Sequence, residues 1–140
     1  MRSEQLSERL SDMLEIQEKF DTAGYEDVIA AAGINNVHIT EALDGGKTIG
    51  FIAYAYEAEK TIVYGYDDGG DLMLCDGLVR SVMFKSALKG IDTMVFEIPD
   101  KQKSANLIKL KFLTENSNIC ENVNNFMNGC QNCKNQNNVQ

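Results

Sequence analysis

Apolar and polar positions divide the chain into segments of two different periods. Leu6, Leu10, Met13, Leu14 and Phe20 recur at helical spacing among Ser, Glu, Gln and Lys, which predicts an amphipathic helix over about residues 4–20. Tyr25, Val28, Ile29 and Ala32 repeat the pattern, and Gly33 stands where a left-handed glycine ends a helix. From Val37 the period falls to two: Val37 to Thr40 reads as a strand, and Asp44-Gly45-Gly46 as a tight turn. Thr48 to Tyr56 and Thr61 to Tyr66 are rich in β-branched and aromatic residues and are separated by the polar Glu57 to Lys60, which predicts a three-stranded antiparallel meander.

After Asp67-Asp68-Gly69-Gly70 the helical period returns. Asp71 is the candidate N-cap, Cys75, Leu78, Val79 and Val82 the buried stripe, and Gly90 the stop. Thr93 to Ile98 is almost continuously apolar up to Pro99, as expected of a strand paired in parallel across the helical crossover. Ser104 to Leu110 reads as a short helix, Phe112-Leu113 as the start of a last strand, and Asn122 to Met127 as a short covering helix. The class is therefore α/β with a mixed, part parallel and part antiparallel sheet.

Composition narrows the function classes. At 140 residues, 44% apolar and 24% charged, the chain suits one domain, placed at residues 1–134, with 135–140 as a disordered tail. The formal net charge of −8, with no Lys/Arg cluster to interrupt it, argues against nucleic acid and anionic lipid as partners. No apolar run reaches the roughly 18 residues of a membrane helix, and Met1 to Phe20 is not a basic segment followed by an apolar one, so a cytoplasmic protein is expected. Cys75, Cys120, Cys130 and Cys133 are then expected as reduced thiols. Cys130 and Cys133 have C-x-x-C spacing in an Asn-rich tail, with Cys120 as a third thiol, but zinc wants four ligands and no metal is expected.

The order of elements over residues 22–120 resembles the Gcn5-related N-acetyltransferase (GNAT) fold: helices, antiparallel meander, central helix, parallel strand pair, short helix and final strand. Ala105 to Phe112 is similar to the family's "a-x-x-Tyr-x-x-Leu-Gly-Phe" end, and Thr48-Ile49-Gly50-Phe51-Ile52 to its "x-hydrophobic-Gly-hydrophobic" strand. The resemblance implies an acetyl-CoA cofactor whose pyrophosphate lies on backbone N–H groups where the central helix opens, here at Tyr66, Gly69, Gly70, Asp71 and Leu72. The family's "Arg/Gln-x-x-Gly-x-Gly/Ala" signature is replaced by Asp67-Asp68-Gly69-Gly70-Asp71-Leu72, its tyrosine acid by Leu107, and the glycine of its Leu-Gly-Phe end by Lys111.

Two readings stay open on these residues. One is an acyl-CoA-dependent N-acetyltransferase for a small-molecule or protein amine, using the notch between the parallel strands. A base would come from Glu57, Asp67, Asp68 or Glu97, although no catalytic residue is singled out. The other is a GNAT-derived binding or regulatory module without acetyl-CoA, with a homodimer through a strand edge or exposed apolar face. Tyr54 with Tyr56, and Tyr64 with Tyr66, are each expected to share one face of their strand, and His38, the single histidine, has no motif around it.

Overall fold

The structure, a computed structural model, describes residues 14–124. Within them the strands β1 (Leu14–Glu18), β2 (His38–Asp44), β3 (Lys47–Glu57), β4 (Lys60–Asp67), β5 (Thr93–Phe96) and β6 (Ile119–Glu121) form one sheet in that order. All neighbours are antiparallel except β4 and β5, which are parallel. Helix α1 (Glu26–Ala32) covers one face, and α2 (Leu72–Leu88) covers the other as the crossover between β4 and β5. Helix α3 (Lys101–Lys109) follows β5.

The expected helix over 4–20 is corrected where it can be seen: Leu14–Glu18 is a strand paired with β2, and residues 4–13 lie outside the described residues. The segment carries both periods, since Leu14, Ile16 and Glu18 also alternate. The open edge of β2 satisfies its backbone groups by pairing, which local periodicity does not anticipate. The meander therefore has four strands. Helix α1 ends as expected on Gly33, at φ 75°, whose N–H donates to the Ile29 carbonyl at 3.2 Å.

The last strand is also displaced, from Phe112 to Ile119–Glu121. Lys111 takes φ 72°, the left-handed region in which a β-carbon costs about 1 kcal/mol, and this is the position where the family's motif has glycine. The turn throws Phe112 and Leu113 into the core, their N–H groups both donating to the Leu107 carbonyl. Val123 and Asn124 form a helical turn, and the remainder of the expected Asn122–Met127 helix, residues 125–127, lies with the expected 135–140 tail, Cys130 and Cys133 outside the described residues.

The main core lies between the sheet and α2, built on Ile52, Tyr54, Val63, Leu78, Val82, Met83, Met94 and Leu107. A smaller cluster under α1 joins Val37, Ile39 and Ala53 to Val28 and Ile29. Thr61 and Ser86, both fully buried, satisfy each other at 2.7 Å and so tie β4 to the end of α2.

Candidate functional site

Two neighbouring features arise where β4 and β5 part. The parallel ladder runs only from Thr61–Met94 to Val63–Phe96, with the Glu97 N–H donating to the Val63 carbonyl at 2.8 Å. Beyond it β4 continues towards Asp67 while the other chain turns at Pro99 into α3, and a notch opens between them. A cavity of about 670 Å³ occupies the α1 side of this notch. Ala31 and Ala32 of α1, Ile62, Phe96, Ile98 and Pro99 give it apolar walls, and Tyr64, Glu97, Ser104 and Asn118 supply polar groups. That volume and mixture are typical of a small-molecule site.

Tyr64 owes its place there to a register shift. Ala53 faces Gly65 while Tyr54 faces Val63, so Tyr64 is an extra residue in β4 opposite no partner. The shift reverses the alternation: Ile62 and Tyr64 point to the cavity, whereas Tyr66 joins the α2 core. The expectation that Tyr64 and Tyr66 share a face is thus corrected. The Tyr64 hydroxyl donates to Glu57 Oε2 at 3.3 Å. Burial, then the charge and hydrogen bond of Glu57, then the charge of Glu97 raise its pKa, so the phenol stays protonated between two carboxylates.

On the other side of the notch Tyr66 is buried, its hydroxyl donating to the Lys103 carbonyl at 2.8 Å. Lys103 Nζ donates back to the Tyr66 carbonyl at 2.7 Å, so a reciprocal pair bridges β4 and α3. Burial, together with Cys75 and Asp68, pushes the Tyr66 phenol far above its usual range. Burial also lifts the Cys75 thiol to about 11 and the Cys120 thiol to about 11, which leaves both unreactive.

The loop from β4 into α2 has the backbone shape of an anion cradle, with Gly69 at φ 63° and Gly70 at φ 83°. Four donors of the loop and the first helical turn, however, are taken by the chain's own carboxylates, and the Asp71 N–H by the Asp68 carbonyl. Asp67 Oδ1 accepts from Gly69 N–H at 2.9 Å, and the buried Asp68 accepts from Gly70 N–H at 2.8 Å. Asp71 caps the helix, accepting from Met73 and Leu74 at 3.0 and 3.3 Å. Of the five positions expected to hold a cofactor, Gly69, Gly70, Asp71 and Leu72 are brought together here, and Tyr66 lies behind them in the core. Leu107 is fully buried, so the position of the family's tyrosine acid is part of the core.

A polar network that the sequence did not reveal lies at the other end of α2. Lys85 Nζ donates to Thr40 Oγ1 at 2.9 Å, to the Tyr54 hydroxyl at 3.2 Å and to Glu18 Oε1 at 3.4 Å. Glu18 Oε2 meets His38 Nδ1 at 2.9 Å, and the His38 ring stacks on Tyr54 at 5.6 Å. Alternation in β2 and β3 already put His38, Thr40, Tyr54 and Tyr56 on one face, but Glu18 was hidden by its helical reading. Burial pushes the Tyr54 phenol up to about 12. For Glu18, burial raises the pKa, but the His38 hydrogen bond and the Lys85 charge outweigh it and hold the carboxyl below its usual value of 4.5.

A carboxyl lowered on folding stabilises the fold above its unfolded pKa and loses that contribution as pH falls through its folded pKa. Thermal unfolding from pH 6 down to pH 3 should therefore show a shallower loss of stability in Glu18→Gln than in the parent. Glu18 is 41% exposed, so the difference is expected to stay under about 1 kcal/mol. Parallel pH profiles for the two proteins would remove Glu18 from the linkage.

A solved structure shares this architecture. An aminoglycoside acetyltransferase, meta-AAC0020, from an uncultured soil metagenomic sample and solved with sisomicin, superposes with a TM-score of 0.51 at 14% identity. The match covers 77% of this chain and 91% of that one. This chain has the GNAT fold. Two other acetyltransferases match less well. The Escherichia coli ribosomal-protein-S18-alanine N-acetyltransferase gives a TM-score of 0.48 at 12% identity, over 81% of this chain and 79% of that one. The PaiA N-acetyltransferase of Thermoplasma acidophilum, solved with coenzyme A, gives 0.45 at 14% identity, over 67% and 65%. No protein-family model matches the sequence, and no curated protein does.

Proposed function

We propose that this chain is a ligand-binding module built on the GNAT fold, which keeps the notch and has closed the acetyl-CoA cradle. The observation that carries this reading is the capture of the Gly69, Gly70, Met73 and Leu74 N–H groups by Asp67, Asp68 and Asp71. A pyrophosphate would have to displace three carboxylates from those donors and then sit beside them, at a repulsion of about 1 kcal/mol or more per close contact. The residues present do not fit the phosphates of acetyl-CoA. The buried Leu107 adds to this, because it offers no proton to a departing thiolate.

The notch itself suits a small ligand with a cationic amine. Tyr64, Glu57 and Glu97 gather acceptors and negative charge at a cavity whose other walls are apolar. The same group favours a second reading, an acetyl-CoA-dependent N-acetyltransferase with Glu97 or Glu57 as the base for an amine substrate.

Calorimetric titration with acetyl-CoA and with CoA, at low and moderate salt, separates the two. No binding up to about millimolar cofactor is expected from the parent in either salt. Asp67→Ala with Asp68→Ala is expected to gain weak, salt-sensitive binding as two donors are freed. Micromolar binding by the parent protein overturns the closed-cradle reading and restores the acetyltransferase.

A further inference from the structure

We infer that the amine ligand of the notch is an extended dication, with one cationic group at Glu97 and the other at Glu115 in an adjoining cavity. This rests on the notch being an amine site and supplies its second half. That half is a cavity of about 340 Å³ between α3 and the segment leading into β6, walled by Ile108, Leu113 and residues 114–118. Ser104 and Asn118 line both cavities, so the two meet there.

Short-range features of the chain build the second half. Ser104 and Ile108 are four residues apart and so share one face of α3. The Ser117 N–H donates to the Thr114 carbonyl at 3.4 Å and the two residues bridge, which closes a tight turn with Glu115 in it. Asn118 ties that turn to β5: its carbonyl accepts from the Phe96 N–H at 2.8 Å, and its Nδ2 donates to the Phe96 carbonyl at 3.1 Å. Ser104 Oγ donates to the Ile98 carbonyl at 3.3 Å. The two shared residues are thus fixed through their donors, while Asn118 Oδ1 and the Ser104 Oγ lone pairs receive no donor among the described residues.

The charged residues lining the two cavities are Glu97 and Glu115, with no lysine or arginine beside them. Neither carboxylate has an ion-pair partner among the described residues. The other walls suit an aliphatic chain: Phe96 and Ile98 in the first cavity, Ile108 and Leu113 in the second, and Asn118 Oδ1 as an acceptor for an N–H. A second ammonium at the far end of such a chain costs binding where the cavity is apolar and gains it only where a carboxylate meets it.

The sign of that effect is measured by calorimetric titration of the full chain, in about 0.05 M salt, with octylamine and with diaminooctane, a chain of equal length with an amine at each end. Diaminooctane should bind about three- to fivefold more tightly than octylamine. Diaminopropane, too short to reach both carboxylates, should show no such gain over propylamine. Glu115→Gln should abolish the gain and leave octylamine binding and the thermal midpoint as in the parent, because Glu115 is exposed. Asp44→Asn, which removes an exposed charge that lines neither cavity, should keep the gain. Equal binding of octylamine and diaminooctane, unaltered by Glu115→Gln, overturns the dication and leaves the notch as a site for a single amine. A gain lost equally in Asp44→Asn overturns it too, by assigning the effect to the net charge of −8. Absence of binding by every amine overturns the amine reading of the notch and the dication with it.

Discussion

Replacing Gly50 by alanine is expected to lower stability by about 2 kcal/mol, and by valine more, with urea unfolding as the measurement. A β-carbon at Gly50 would stand 2.6 Å from the Asp67 carbonyl oxygen and 3.1 Å from Leu74 Cδ2. The first contact is with backbone, so no side-chain rotation relieves it: β3 and the end of β4, paired there as Phe51 with Asp67, must move apart. Leu74 then loses its seat in the first turn of α2, and the cradle loop opens at its base. For a domain of this size the thermal midpoint should fall by about 6–10 °C. An alanine variant within about 0.5 kcal/mol of the parent would mean that the two strands do not approach as closely as described.

Leu107 supports the second large expectation. It is fully buried beneath the turn that closes α3, and its carbonyl accepts from both Phe112 and Leu113. Leu107→Ala should cost about 2–5 kcal/mol by leaving a cavity that the tied turn cannot collapse to fill. Leu107→Tyr, which restores the residue type that the GNAT resemblance places here, should also destabilise, by about 1–3 kcal/mol, since the larger ring has no room and its hydroxyl no partner. A tyrosine accepted at no cost and titrating near its ordinary value would show instead that this position reaches solvent, and would reopen the question of a proton donor in the notch.

How much of this was legible in the sequence varied with the range of the interaction. Helix α2, its Asp71 cap and its buried stripe follow from spacing alone, because a helix is closed by bonds within itself. The glycine turn between β2 and β3 was equally local. Strand β1 was lost because five residues compatible with either period are decided by an edge more than 20 positions away. Tyr64 and Tyr66 were misplaced together by one extra residue whose only signature is the register of the neighbouring strand. At the candidate site the positions were found and their partners were not. The acidic residues around Gly69 and Gly70 read as charges facing an incoming anion, whereas their carboxylates turn inward onto the loop's own N–H groups.

That inward turn bears on how the protein exists among other molecules. A cradle with open donors is a loop whose order depends on what fills it, and its folded population rises and falls with ligand supply. Here the loop carries its counter-charge in its own sequence, so its shape is inherited at synthesis rather than lent by the surroundings. The fold can thus persist at any phosphate or nucleotide level, and the notch beside it stays presented whether or not those ligands are present.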